Sequence, residues 1–451
     1  MSQSFMKKQN KIIQFPQRVG GNQKLGSELE GKKLLILGAT APMCEIVKEA
    51  QSLGVTVYVT DYLPDSPAKK YADKSFMVNA IDVDAVVKLC QDEGVDGIFT
   101  GYNDMLLPYC QKVCERLGKP FCGTEENIRM CIDKEMFKNA CVKSGVPVVP
   151  WVDATKDNYT EVLQNVKVPV VVKPADYSGS KGVFKCYDAE KLQSVVEEAL
   201  TYSKAGKVLI EKIMDVDKEI SAYYMMHDGE VYFVTMGDRY VNVIDPNIAP
   251  VGRGMLYPSI YQDAWIEKMD SRIRKFFADN DMRDGFAFIQ GFYEDGDFYI
   301  HEIGYRLNGG FTYDIIKYFS GYHQMHELIR FALTGKMDKS ALAKSNPHFD
   351  GLGMIVTVSI KEGVIGTVGG VEQIEQMPGI IRFHQLHHEG DALMAHGTTA
   401  QVFAYILCGT KDKAELDETI RGIQDNLVVL DDHGNSMIRD IIDPQTILVK
   451  E

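Results

Sequence analysis

The apolar run within Lys33-Leu34-Leu35-Ile36-Leu37 predicts a strand buried on both faces, because no polar residue alternates with the apolar ones. Gly38-Ala39-Thr40 reads as a turn, and Met43 to Leu53 carries helical periodicity. Val55-Thr56-Val57-Tyr58-Val59 predicts a second strand that closes on Asp61. Val83 to Glu93 reads as a helix, Gly97-Ile98-Phe99-Thr100 as a strand, and Leu106 to Leu117 as another helix. Strands alternating with helices at this spacing predict a parallel, doubly wound sheet. Such a sheet could hold a nicotinamide nucleotide, and Asp61 stands where a ribose-binding acid would. The turn Gly38 to Met43, however, has only the first glycine of the G-x-G-x-x-G fingerprint. A small α/β domain packed beside the main site is the better reading.

The texture changes at Asp133. Asp133 to about Ser144 reads as a helix, stopped by Gly145-Val146-Pro147. Val168 to Lys173 predicts a strand, Ser178-Gly179-Ser180-Lys181-Gly182 a glycine-rich turn, and Gly182 to Lys185 a return strand. This is a hairpin with a long loop. Val208 to Glu211 is a further strand. Phe286 to Phe292 and Phe298 to Ile303 flank Asp295-Gly296, another hairpin signal. Val243 to Pro258 reads as a long connection, of the kind that forms lids or binding loops. From Gly351 the chain is rich in Val, Ile and Gly, with Ala400 to Cys408 and Lys413 to Leu427 read as helices, which predicts a small α+β cap.

Composition narrows the partners. At 451 residues the chain predicts roughly three compact units. Its 45% hydrophobic and 25% charged residues fit a soluble globular protein, and no apolar run suits a membrane helix. A net charge of -14 argues against nucleic acid, which needs a basic footprint, but leaves a small nucleotide open. Nine cysteines with no C-x-x-C pair point to reduced thiols and a cytoplasmic setting. His384, His387 and His388 read as a surface strand and turn rather than a metal site. Residues 1–30 are polar, with no secretory h-region, and read as a flexible tail.

The candidate chemistry clusters in four segments. Lys173 ends a buried strand and offers a fixed positive charge to a phosphate. The glycines after it let backbone N–H groups approach closely. The order is not a Walker A motif. Lys134, at a helix start, is a second phosphate cation. Backbone groups of Glu211-Lys212-Ile213-Met214 could meet an adenine edge, and Glu219 could accept from ribose hydroxyls. Phe298, Ile300 and Glu302 are read as sharing one strand face. An acid at the end of an apolar face needs a partner, and Mg²⁺ is one, alongside a buried ion pair with Arg306. Arg306 brings a rigid fork suited to a carboxylate or a transferring phosphoryl group. Arg253 and Gly310 are candidates for contact with an acid substrate.

In this order and spacing the segments resemble the ATP-grasp superfamily over roughly residues 32 to 445. The resemblance implies α/β and α+β architecture: a doubly wound pre-ATP-grasp domain at 31–125, a two-lobed ATP-grasp domain at 126–345, and a C-terminal α+β cap at 346–451. The small lobe would span about 150–210 and the large lobe about 211–345. It further implies phosphate lysines at Lys134 and Lys173 and a flexible loop from Ser178 through Gly179 and Ser180 to Gly182. The adenine hinge falls at Glu211 to Met214 and the ribose acid at Glu219. The metal and catalytic segment falls at Glu302 to Arg306, with Mg²⁺ or Mn²⁺ held by Glu302 and Gln290. This chain has Gln290 where the family usually has an acid, and Gly304 where it usually has Asn. Two hairpin registers are open: a two-residue turn pairs Gln290 with His301, and a three-residue loop with a bulge sets it opposite Glu302.

The resemblance implies an ATP-dependent ligase that phosphorylates a carboxylate and couples it to an amine, with Lys173 and Arg306 catalytic. It also implies small-molecule substrates and, as in many relatives, a homodimer. Two rival readings stand beside it. One phosphorylates bicarbonate or carbamate. The other binds nucleotide without catalysis, as Gln290 and Gly304 suggest.

Overall fold

The computed structural model describes residues 28–176, 182–242, 251–338, 340, 342, 346–394 and 401–449. Strands β1 (Lys33–Leu37), β2 (Thr56–Thr60), β3 (Lys74–Phe76) and β4 (Gly97–Phe99) form a parallel sheet in the order β3-β2-β1-β4. The helices Met43–Ser52 and Val83–Glu93 supply crossovers, and the helix Leu107–Leu117 follows the last strand, as the alternating pattern predicts. Asp61 does not face a nucleotide. Its carboxylate accepts from Ala39 N (3.2 Å), Leu63 N (2.8 Å) and Ser66 Oγ (3.0 Å), and so orders its own loops.

A second sheet is antiparallel. Strands β5 (Trp151–Thr155), β6 (Val170–Pro174), β7 (Phe184–Cys186) and β8 (Lys207–Lys212) lie in the order β5-β8-β6-β7. Its apolar side packs on the helix Leu192–Tyr202 through Val172, Val196, Ala199 and Val208. β6 and β7 are the expected hairpin, with Val172 opposite Phe184.

The largest sheet has nine strands. β9 (Glu219–His227), β10 (Glu230–Asn242), β11 (Val251–Tyr257), β12 (Gly285–Glu294) and β13 (Asp297–Gly304) form one half. β14 (Leu352–Ile360), β16 (Ile380–Gln385), β18 (Val402–Thr410) and β20 (Ile438–Asp440) continue it, because β11 pairs with β14. A three-stranded sheet of β15 (Gly363–Gly369), β17 (Ala392–Leu393) and β19 (Val428–Asp431) closes the C-terminal end. Among the described residues no helix is long and apolar enough to cross a membrane.

Three sequence expectations are corrected. Val402-Phe403-Ala404-Tyr405-Ile406-Leu407-Cys408 is strand β18 rather than helix, and Ala400 lies outside the described residues. Both faces of β18 are buried, with Phe403 and Ile406 in one core and Leu407 in another. A strand covered on both sides loses the alternation that marks it in sequence. Second, Val251–Tyr257 is strand β11, not part of a long loop; residues 243–250 lie outside the described residues. Third, His384 is buried, bonded to Asp314 (3.0 Å) and stacked on Phe311, rather than on the surface.

Candidate active site

The cation side is built where the helix Lys134–Lys143 meets β6 and β8. Asp133 caps the helix by accepting from Glu135 N and Met136 N, both at 3.0 Å. Lys134 N donates to Ala175 O (3.1 Å), which ties the helix start to the end of β6. The Lys134 side chain is buried. Burial lowers its pKa, and the carboxylate of Glu302 opposes that effect. Lys138 lies one turn on and is fully buried, with Nζ donating to Val149 O (2.7 Å). Lys173 and Glu211 sit diagonally on neighbouring strands, since Lys173 pairs with Leu209 and Glu211 with Val171. Glu211 holds both lysines: Oε1 is 2.8 Å from Lys138 Nζ and Oε2 is 2.8 Å from Lys173 Nζ. Burial raises the Glu211 pKa, but the two ammonium groups outweigh it and the net shift is downward.

Of the phosphate loop, Ser178, Gly179 and Ser180 lie outside the described residues. Gly182 is described and has φ +72°, and a Cβ there would stand 2.7 Å from the Tyr202 ring. Only glycine fits at position 182 against that ring. At the hinge, Lys212 N donates to Pro150 O (3.0 Å), and its Nζ pairs with Glu294. Ile213 is half-buried and Met214 buried.

Glu219, at the start of β9, is buried rather than solvated. Arg239 Nη1 donates to both of its oxygens, at 2.6 and 2.7 Å, and His301 Nε2 is 3.9 Å away. Burial pushes Glu219 up, but Arg239 and His301 pull it down further, to about 2.

The acid side depends on a β-bulge. The turn Asp295-Gly296 has two residues, since Glu294 pairs with Asp297, yet Gln290 stands opposite Glu302. The register shifts because His301 is an extra residue between Ile300, which pairs with Gly291, and Glu302. Each sequence-level alternative was therefore half right: the turn is short and the bulge is present. The bulge also corrects the expected strand face. Phe298, Ile300 and Ile303 point into the core, and Glu302 points the other way. His301 leans over Phe292 and toward Glu219 on that same side, so Glu219, Gln290, His301 and Glu302 share one face.

Glu302 makes neither a hydrogen bond nor an ion pair with any described residue. Burial raises its pKa, but Lys134, His301, Lys173 and Arg306 outweigh it, so the carboxyl stays ionised. A charged, unpaired carboxylate opposite an amide oxygen suits a hard cation that takes its remaining oxygens from phosphates and water. Glu302 and Gln290 could hold such an ion. Position 304 could not contribute, because a Cβ there would stand 2.1 Å from Phe288 Cζ. The Phe288 ring fills the space that an asparagine at this position would need.

Arg306 is not paired with Glu302. Its Nε and Nη2 donate to Asp104 in a fork, both at 2.5 Å, and its Nη1 donates to Leu307 O (2.8 Å). The guanidinium lies 5.2 Å from the Phe288 ring centroid. Arg253 pairs with Asp440, its Nη2 donating to Oδ1 (3.0 Å) and its Nε standing 2.7 Å from Oδ2, so it is a strand residue with a charge partner. Gly310 precedes Phe311, which has φ +60° and caps the helix Thr312–Ser320. Asn308 Nδ2 donates to Thr312 Oγ1 (2.6 Å) across this turn.

Sequence reasoning missed Lys138, Asp104, Arg239, His301 and Phe288. Lys138 carried a signal, the helical spacing from Lys134. Asp104 also carried one, since ligands of doubly wound sheets gather beyond the carboxyl ends of strands. Arg239, His301 and Phe288 carried none that is independent of strand register.

Residues 133–245 match the family described as the carbamoyl-phosphate synthase L chain, ATP binding domain. A formate-dependent phosphoribosylglycinamide formyltransferase of Maridesulfovibrio salexigens is 27% identical over 217 residues, covering 46% of this chain and 54% of that protein. The chain spans about half the length of the curated relatives it matches. The L-amino acid ligase of Bacillus licheniformis superposes with a TM-score of 0.75 at 18% identity, over 89% of this chain and 99% of that one. The biotin carboxylase domain of Hydrogenobacter thermophilus 2-oxoglutarate carboxylase, solved with MgADP and bicarbonate, gives 0.73 at 17% identity over 88% and 91%. At these identities the likeness to the solved structures is one of fold.

Proposed function

We propose that this chain, which belongs to the ATP-grasp superfamily, uses ATP to activate a small carboxylate and passes the acyl group to an amine. The observation that carries the reading is Glu302. It is an ionised, unpaired carboxylate facing Lys134, Lys173 and Arg306, which together make a cleft of opposed charges. Lys134 and Lys173 would bind the phosphates, backbone groups of the hinge Glu211–Met214 the adenine, and Glu219 the ribose. Mg²⁺ would be held by Glu302 and Gln290 and, when bound, would neutralise charge on the phosphates.

The chemistry then asks little covalent help of the protein. A substrate carboxylate oxygen attacks the γ-phosphorus as the bond to the ADP oxygen breaks. The amine then attacks the acyl carbon, phosphate leaves, and a proton is lost from nitrogen. Arg306, oriented from behind by Asp104, would meet the charge on the acyl phosphate. We further propose the domain limits given by the resemblance, a cytoplasmic setting and a homodimeric assembly.

The test is ADP release with ATP and Mg²⁺ across a panel of amino acids, small acids and bicarbonate. Release that depends on one carboxylate together with an amine supports the reading. Release with bicarbonate alone would favour carboxylation-type chemistry, which the match to the carbamoyl-phosphate synthase ATP-binding domain keeps in view. ATP binding with no ADP formed by any acid would mean a non-catalytic protein.

A further inference from the structure

The cation side holds one more lysine than the phosphates use. Lys138 is fully buried, and its ammonium is spent inside the protein on Val149 O (2.7 Å) and Glu211 Oε1 (2.8 Å), over the Trp151 ring. Stability alone does not account for it, because a buried ionised group is usually no better than an apolar one of similar size. Burial in fact holds Lys138 down to about 8. Charge does account for it. Glu211 lies between Lys138 and Lys173, with one oxygen 2.8 Å from each. Paired with Lys173 alone, Glu211 would cancel the charge that a phosphate needs. With Lys138 added, the cluster of two ammonium groups and one carboxylate keeps a net positive charge at the cleft.

We infer that Lys138 is a positioning residue: it takes up the charge of Glu211 so that Lys173 keeps its own for the nucleotide phosphates. The inference rests on the ATP-binding reading above. The other charged or titratable groups facing Lys138 are Lys173 from β6, Asp153 from β5 and Cys141 from its own helix.

The experiment measures binding of β,γ-methylene-ATP with Mg²⁺ by calorimetry at pH 7, using full-length wild type, Lys138→Met and Lys138→Met/Glu211→Gln. Lys138→Met should weaken binding about tenfold, the scale of one lost charge contact. The double variant should recover to within about threefold of wild type, because Lys173 again has no competing carboxylate. Wild-type binding that Lys138→Met leaves unchanged overturns the inference, as does a double variant no better than the single one. Wild type that does not bind the analogue overturns the ATP reading itself, and the inference with it. Should Lys138→Met fail to fold, Lys138→Gln, alone and combined with Glu211→Gln, carries the same comparison: a single variant that binds as wild type does, or a double variant no better than the single one, overturns the inference.

Discussion

Glu211 and Glu302 are acids of the same cleft, held in opposite ways. Glu211 has an ammonium group 2.8 Å from each oxygen. Glu302 faces Lys134, Lys173 and Arg306 and touches none of them by hydrogen bond or ion pair. The first arrangement is complete without a ligand. The second keeps an ionised carboxylate ready for one, at a cost that the nearby cations offset. The pairing separates an acid satisfied within the fold from one that is not, although sequence context makes them look alike.

Exchanging each acid for its amide should split stability from activity most widely. Glu211→Gln leaves two buried ammonium groups uncompensated and should cost about 3–5 kcal/mol of stability, read as a lower midpoint in urea. Glu302→Gln should shift that midpoint little and lower ADP formation by about 100-fold or more. A reversed pattern would dissolve the distinction between the two acids.

Next in size is the packing on the metal side. Gly304→Asn forces a side chain into the Phe288 ring, since a Cβ at position 304 would stand 2.1 Å from that ring's Cζ. It should cost about 1–3 kcal/mol. On a Phe288→Ala background the same Gly304→Asn change should cost little, read again by urea midpoint. A cost that persists there would mean that the ring is not what keeps position 304 bare.

Asp104→Asn removes the negative charge of the Arg306 fork and one of its two acceptor oxygens. It should lower kcat about tenfold while leaving nucleotide affinity close to wild type. Loss of nucleotide affinity instead would place Asp104 on the binding side of the comparison. The smallest change across neutral pH concerns Glu219. Its folded pKa of about 2 lies below the ordinary 4.5, so its contribution is full above pH 4.5 and is lost as pH falls toward 2. The difference in thermal midpoint between wild type and Glu219→Gln should be constant from pH 7 to 5 and shrink below that.

What could be read in the sequence divides along local and non-local lines. The parallel sheet, the β6–β7 hairpin and the Asp133-capped helix announce themselves through period, turn chemistry and capping residues that lie close together in the chain. Strand β18 did not, because burial on both faces erased its alternation. The bulge at His301 was invisible for another reason. It adds one residue to one strand and reveals itself only against its partner, yet it turns Glu302 from the core to the cleft. The Asp104–Arg306 fork joins residues 202 positions apart, and no local pattern encodes that contact. The candidate residues were thus legible as an ordered set, while their faces and partners required the fold.

The central claim is that a carboxylate is phosphorylated in this cleft, and isotope transfer tests it most directly. The protein is incubated with ATP, Mg²⁺, an amine panel and carboxylic acids labelled with ¹⁸O in both carboxylate oxygens. An acyl phosphate carries one labelled oxygen onto phosphorus, so released phosphate should contain one ¹⁸O in step with ADP. ADP accompanied only by unlabelled phosphate, or AMP and pyrophosphate in place of ADP, would contradict the account.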